Sequence, residues 1–157
     1  MIHSYYSTPF VREICHDVKQ TRNKYRRQKA IKYIADDLIS RNIVSAGDIL
    51  IPAPQHGGRA EYTLEIAKQL SKVSGASIAD VLRRNPSKSL YEKKYEGKPV
   101  DPEMYIKGSI PFAERYFFVD NVISTGTTYK VACMLCGLKL KPLVFAIDET
   151  KESVQES

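Results

Sequence analysis

Three cysteines in 157 residues are too few to staple a fold, and they argue against the disulfide-dense secreted class. Cys133 and Cys136 form a Cys-x-x-Cys pair inside a predicted helix. A zinc site there would need two more ligands, and Cys15, His3, His16 and His56 are the only other thiol and imidazole groups. The pair is therefore read as two thiols one turn apart, in a reducing compartment. No apolar run is long enough to cross a bilayer. The stretch Met1-Ile2-His3-Ser4-Tyr5-Tyr6 lacks the charged-then-apolar pattern of a signal peptide. A cytoplasmic protein with no membrane partner is the expectation. There is no Gly-x-x-x-x-Gly-Lys loop, no internal repeat and no clear linker.

What remains is ordinary globular material. The chain is 43% hydrophobic, and its length suits one domain with a sizeable core. We expect a single domain over 1–157, with its core at about 25–148. Segments 1–24 and 83–112 are candidates for a hood or lid, and 150–157 reads as a fraying tail. Lysine and arginine outnumber acids 24 to 18, a net charge of +6. That balance suits a polyanionic small ligand or a nucleic acid. The basic residues are densest at Lys19, Arg22, Lys24, Arg26, Arg27, Lys29 and Lys32. Ala30, Ile31, Ile34, Ala35, Leu38 and Ile39 form an apolar stripe on the same stretch, which makes the charges a solvated helix face. No aromatic stacking platform accompanies them, so nucleic acid is not the favoured partner.

Helical spacing predicts a helix over roughly Lys24–Ser40. Asp48 to Pro52 reads as a short buried strand. Two prolines and two glycines keep 52–59 irregular. Tyr62, Ile66, Leu70 and Val73 line one face of a further helix, and Ser77 to Leu82 reads as a second strand. The polar stretch from Arg83 to Pro102 is expected to be a mobile loop. Ile106 to Ile110 and Leu143 to Ile147 read as strands. In the first 20 residues, Tyr5, Tyr6, Pro9, Phe10 and Val11 suit either a short strand or a covering segment. Strands alternating with helices imply an α/β fold with a parallel sheet, whose ligands bind beyond the C-terminal strand ends.

The most informative stretch is Arg115 to Thr128. Tyr116 to Val119 are aromatic or β-branched, as a strand requires. Asp120 falls where that strand should end. Ser124 to Thr128 supply hydroxyls and one glycine whose backbone can approach a ligand. The helix that follows, roughly Thr127 to Leu138, aims its free N–H groups back at the turn. A carboxylate beside a phosphate cradle suits a sugar phosphate.

This stretch resembles the 5-phosphoribosyl-1-pyrophosphate (PRPP) signature of type I phosphoribosyltransferases: an apolar run, two acids, two apolar residues, then hydroxyl-Thr-Gly-x-hydroxyl. Asn121 departs from it, standing where the second acid is usual. The loop Ile51-Pro52-Ala53-Pro54-Gln55-His56-Gly57-Gly58-Arg59 is similar to that of the ComF-like branch, as is the segment near Arg83 to Leu90. The resemblance covers roughly 48–147. It implies a type I sheet with a small or vestigial hood, and PRPP as donor to a nitrogen acceptor, commonly a nucleobase. Mg²⁺ is the implied cofactor, held mainly by PRPP rather than by a dedicated protein site. Asp120 and Asn121 take the catalytic positions. Ser124, Thr125, Gly126, Thr127 and Thr128 would hold the 5′-phosphate, and Gln55, His56, Gly57, Gly58 and Arg59 the pyrophosphate. Tyr91, Lys93 and Lys94 are lid candidates, and a homodimer is the candidate assembly. The alternative is a non-catalytic PRPP- or nucleotide-binding regulatory protein, or a DNA-associated accessory protein of ComF-like type.

Overall fold

The computed structural model describes residues 2–5, 8–19, 21–85 and 103–148. Strand β1 (His3–Ser4) leads to helix α1 (Pro9–Lys19). The sequence reading left this helix open, because Pro9 and the neighbouring aromatics suited an extended segment equally well. Pro9 instead takes the first helical position, where its missing N–H costs nothing. Thr8 Oγ1 accepts the Val11 N–H at 3.3 Å. Val11, Cys15 and Val18, spaced four and three apart, form the buried stripe.

Helix α2 (Lys24–Ser40) follows, capped by the Asn23 side chain, which accepts the Arg26 N–H at 3.2 Å. Its buried residues are Ala30, Ile31, Ile34, Ala35 and Leu38, the stripe expected from spacing. Strand β2 (Ile49–Pro52) is buried throughout. Helix α3 (Tyr62–Ser74) ends at Gly75, whose φ of 82° supplies the left-handed cap. Its stripe is Tyr62, Thr63, Ile66, Ala67 and Leu70. Val73, expected on that face, is 66% exposed instead.

The strand expected over 77–82 divides in two. Strand β3 (Ser77–Ile78) pairs with β2, and Ala79 still donates to the Leu50 carbonyl at 2.9 Å. The chain then leaves the sheet, and β4 (Leu82–Arg84) pairs antiparallel with β5 (Met104–Ile106). That last strand lies earlier than 106–110, since Gly108, at a φ of 106°, has turned the chain. Strand β6 (Tyr116–Ile123), helix α4 (Thr127–Cys136) and strand β7 (Lys141–Ile147) follow.

Five strands form one wholly parallel sheet in the order β1-β7-β6-β2-β3. The fold is α/β, with a parallel sheet flanked by helices. Alternation along the strands builds two apolar layers. Leu50, Phe117, Leu143 and Phe145 pack with α1, α2 and α3. Ile49, Ile51, Tyr116 and Phe118 pack with α4 and Leu82. The two central strands are also tied at their starts. Arg115 donates to both carboxylate oxygens of buried Asp48, at 3.1 and 2.7 Å.

Candidate functional site

Strands β2 and β6 are neighbours, yet their connections diverge. From β2 the chain runs through α3 to β3 on one side. From β6 it runs through α4 to β7 on the other. Loops that part in this way open a crevice at the C-terminal strand ends. A cavity of about 950 Å³ lies there.

One wall comes from β6 and α4. Asp120, Val122, Ser124 and Thr128 all line the cavity. The Asp120 carboxylate accepts the backbone N–H of Asn121 at 2.8 Å. Burial raises its pKa above the ordinary aspartate value, opposed by the charge of Lys19, the Asn121 N–H and the charge of Arg84. Gly126 sits at a φ of 80°, a conformation that only glycine adopts without strain, and it forms the N-cap of α4. Gly126 has no side chain with which to cap this helix, and no acid lies in its first turn. Thr125 Oγ1 accepts from the Thr127 N–H at 3.3 Å and lies 3.0 Å from Thr127 Oγ1, which fixes the turn. Thr125, Gly126 and Thr127 shape the turn without lining the cavity themselves.

A second wall is the loop between β2 and α3. Ala53 N–H donates to the Val119 carbonyl at 2.9 Å, which holds the start of the loop against β6. Gln55 is both a wall residue and a brace. Its Nε2 donates to the Ala53 carbonyl at 2.8 Å and its Oε1 accepts the Glu61 N–H. His56 and Gly57 face the cavity. A Cβ at Gly57 would meet Glu61 Oε1 at 2.8 Å, a contact that the exposed end of the Glu61 side chain can relieve by moving. Gly58 is buried at a φ of 103°, with its carbonyl accepting from the Arg84 N–H at 2.9 Å. Neither Gly58 nor Arg59 lines the cavity, and Arg59 is exposed.

Asp120 and Asn121 separate. Asp120 faces the cavity, while Asn121 is fully buried beneath it. Tyr62, at the first turn of α3, donates its hydroxyl to Asn121 Oδ1 at 3.1 Å. The Asn121 Nδ2 is buried with no hydrogen-bond partner. Burial also raises the Tyr62 pKa well above the ordinary tyrosine value, so the phenol stays protonated and able to donate.

The third wall draws mostly on the two segments offered as hood candidates, 1–24 and 83–112, though none of its residues was singled out from the sequence as a site residue. The end of α1 and the start of α2 contribute Val18, Lys19, Lys24, Arg27 and Gln28, and β4 contributes Arg84. The spacing of Val11, Cys15 and Val18 was the signal that could have revealed α1. The lid candidates Tyr91, Lys93 and Lys94 lie outside the described residues.

Among the described residues no cluster of three or more His, Cys, Asp or Glu could hold a metal. Asp120 at the strand end and Glu61 and Glu65 beside the loop are the carboxylates that line the cavity. That donor set fits a cation carried by a ligand's own phosphates and water, and does not form a protein cage. No helix among the described residues is long and apolar enough to cross a membrane. Cys133 and Cys136 both lie on α4 as free thiols.

No family model and no curated protein matches this chain. Among solved structures, it is similar to the purine phosphoribosyltransferase from Pyrococcus horikoshii Ot3. The likeness covers 84% of this chain and 80% of that one, at 19% identity and a TM-score of 0.46.

Proposed function

We propose that this protein is a phosphoribosyltransferase that binds PRPP with Mg²⁺ and transfers its phosphoribosyl group to a nitrogen acceptor. One observation carries the reading: a helix start with no acid in its first turn, a strand-end carboxylate and a glycine-bearing loop meet at one cavity. The sequence likeness to the type I family, and to its ComF-like branch, gives each of these a role.

The N–H groups of α4 beyond Thr127 and the hydroxyls of Ser124 and Thr128, which line the cavity, suit the 5′-phosphate, with Thr125, Gly126 and Thr127 holding the turn that presents them. No acid in the first turn opposes that anion. Asp120, when ionised, accepts from ribose hydroxyls and places negative charge near a developing oxocarbenium ion. The charges of Lys19 and Arg84 favour that ionised form against burial. His56 and the backbone at Gly57 and Gly58 suit the pyrophosphate, with Arg84 supplying charge from β4. Arg59 completes that assignment only if it swings inward. Tyr91, Lys93 and Lys94 retain their assignment as a lid that excludes water. Mg²⁺, when bound with PRPP, would neutralise pyrophosphate charge, and Asp120 is the side chain best placed to orient its water shell.

The test is calorimetric titration with PRPP and Mg²⁺, beside a pyrophosphate-release assay with a panel of nitrogen acceptors. Binding plus acceptor-dependent release supports a transferase. Absence of PRPP binding sinks the proposal. A second reading, a PRPP sensor without turnover, draws on the uncharged amide of buried Asn121, beside which Asp120 is the single carboxylate of the strand end. Binding with no release for any acceptor favours it.

A further inference from the structure

We infer that the corner between α1 and α2 is the acceptor subsite of this cavity, and that its acceptor is a flat nitrogen heterocycle bearing a carboxylate. This rests on the PRPP reading above. The strand-end loops supply the donors that PRPP needs, which leaves the cations of the corner without an assigned partner.

Those cations have unequal surroundings. Arg26 is neutralised, since its Nη2 lies 3.2 Å from Glu13 and 3.1 Å from Asp17. Lys24 and Arg27, on the same first turns, make no ion pair among the described residues, and both line the cavity. The first turn of α2 holds no acid, so its positive dipole end adds to their charge rather than offsetting it. Lys24 is exposed and Arg27 half-buried, and although Glu61 and Glu65 line the same cavity, neither pairs with them among the described residues.

Arg27 gives the sharper indication. Its Nη2 donates to the Thr21 carbonyl at 3.1 Å, which fixes the guanidinium. Its Nε is buried with no partner. Arg84 Nε, on the same cavity, is unpartnered as well, but that side chain is assigned to the pyrophosphate and Arg27 stands alone at the corner. A buried donor left unmade costs about 1–3 kcal/mol, so such atoms are normally satisfied. Within one cavity, a ligand oxygen answers that need. A guanidinium fork suits a carboxylate by shape as well as charge. Val18 and Val122 line the cavity too, and give an apolar ring a surface to rest on. An anionic edge and an apolar face describe a carboxylated heterocycle better than a neutral base.

The transfer balances simply. The ring nitrogen's lone pair forms the bond to C1 of the phosphoribosyl group. The C1–O bond breaks, and its electron pair leaves with pyrophosphate. A proton on the nitrogen, where there is one, passes to solvent.

The experiment uses the full chain and matched probes that differ in charge: uracil against its 6-carboxylate, and nicotinamide against nicotinate. Pyrophosphate release is measured with PRPP and Mg²⁺, and PRPP affinity is measured separately by calorimetry. We expect kcat/KM for the carboxylated member to exceed its neutral partner by about tenfold or more. Arg27→Gln should abolish that preference while changing PRPP affinity by less than about threefold. Lys24→Gln should reduce it in part. Equal use of both members, or a preference that survives Arg27→Gln, overturns the subsite and leaves the PRPP reading standing. So does an Arg27→Gln variant that loses PRPP affinity and keeps its acceptor preference. Failure of the unaltered chain to bind PRPP overturns both.

Discussion

The β6–α4 wall and the α1–α2 corner border the same cavity but are built in opposite ways. The first is one run of consecutive residues, from Asp120 to Thr128, shaped by strand end, glycine turn and helix start. The second joins the tail of one helix to the head of another, with its cavity-lining residues drawn from both. A continuous wall holds its geometry through backbone conformation. A corner holds its geometry only through the packing of the helices behind it. The first should therefore be sensitive to changes in φ, and the second to changes in contacts between helices.

The largest perturbation should erase the distinction. Phe117 is 1% exposed and packs from β6 with α1, α2 and α3, so it supports both walls. Phe117→Ala should cost about 3–5 kcal/mol, read as a fall in the denaturation midpoint. Smaller and more selective is Gly126→Val. A β-branched side chain at a φ of 80° should cost about 1–2 kcal/mol or more and weaken PRPP binding through the turn alone. If calorimetry finds PRPP affinity unchanged, the turn is not a phosphate site.

Asp120→Asn should raise stability while it lowers activity. A carboxyl whose pKa is raised by folding favours the folded state when protonated. That contribution is present below the unfolded value, about 4, and is lost as pH rises through the folded one. The variant should therefore gain on the native chain as pH rises from about 4 to 7. A gain of about 1 kcal/mol would move the melting temperature by roughly 2–4 °C. For the same reason, binding that needs the ionised Asp120 should strengthen as pH rises through the raised pKa. A flat profile would remove Asp120 from the site. The smallest effect belongs to the corner. Arg26 is half exposed, so Arg26→Gln should cost about 0.2–1 kcal/mol at low salt. Its larger signature should be a loosened α1–α2 corner, seen as faster amide exchange in α1.

These walls were legible in the sequence to different degrees. The continuous one could be read because every feature of it lies within one stretch. Helix α2 could be read because the Ala30 to Leu38 stripe is long and its charges fall opposite. The corner could not, because Val18, Lys19, Lys24 and Arg27 meet only after α1 folds back on α2, and α1 itself was hidden behind Pro9 and its aromatic neighbours. Asp120 and Asn121 show another limit. Motif likeness treats them as a pair, but successive strand residues point to opposite sides. One therefore faces the cavity and the other lies beneath it, bonded to Tyr62. Gln55 looked like a ligand by position, yet much of its hydrogen bonding holds its own loop.

The order of strands has a consequence for biosynthesis. Strand β7 lies between β1 and β6 in the sheet, although it is the last of the described strands to be made. On the ribosome, β1 must wait for β7, its one neighbour among the described strands. Phe145 completes the layer over α1 and α2 at the same late moment. The Arg115–Asp48 tie alone spans 67 residues of chain, a loop closure of about 4 kcal/mol in entropy. The amino-terminal helices therefore leave the exit tunnel with their apolar stripes uncovered. The nascent chain should need protection from association until residues near 147 emerge, and a stall before that point should be the most aggregation-prone stage in its synthesis.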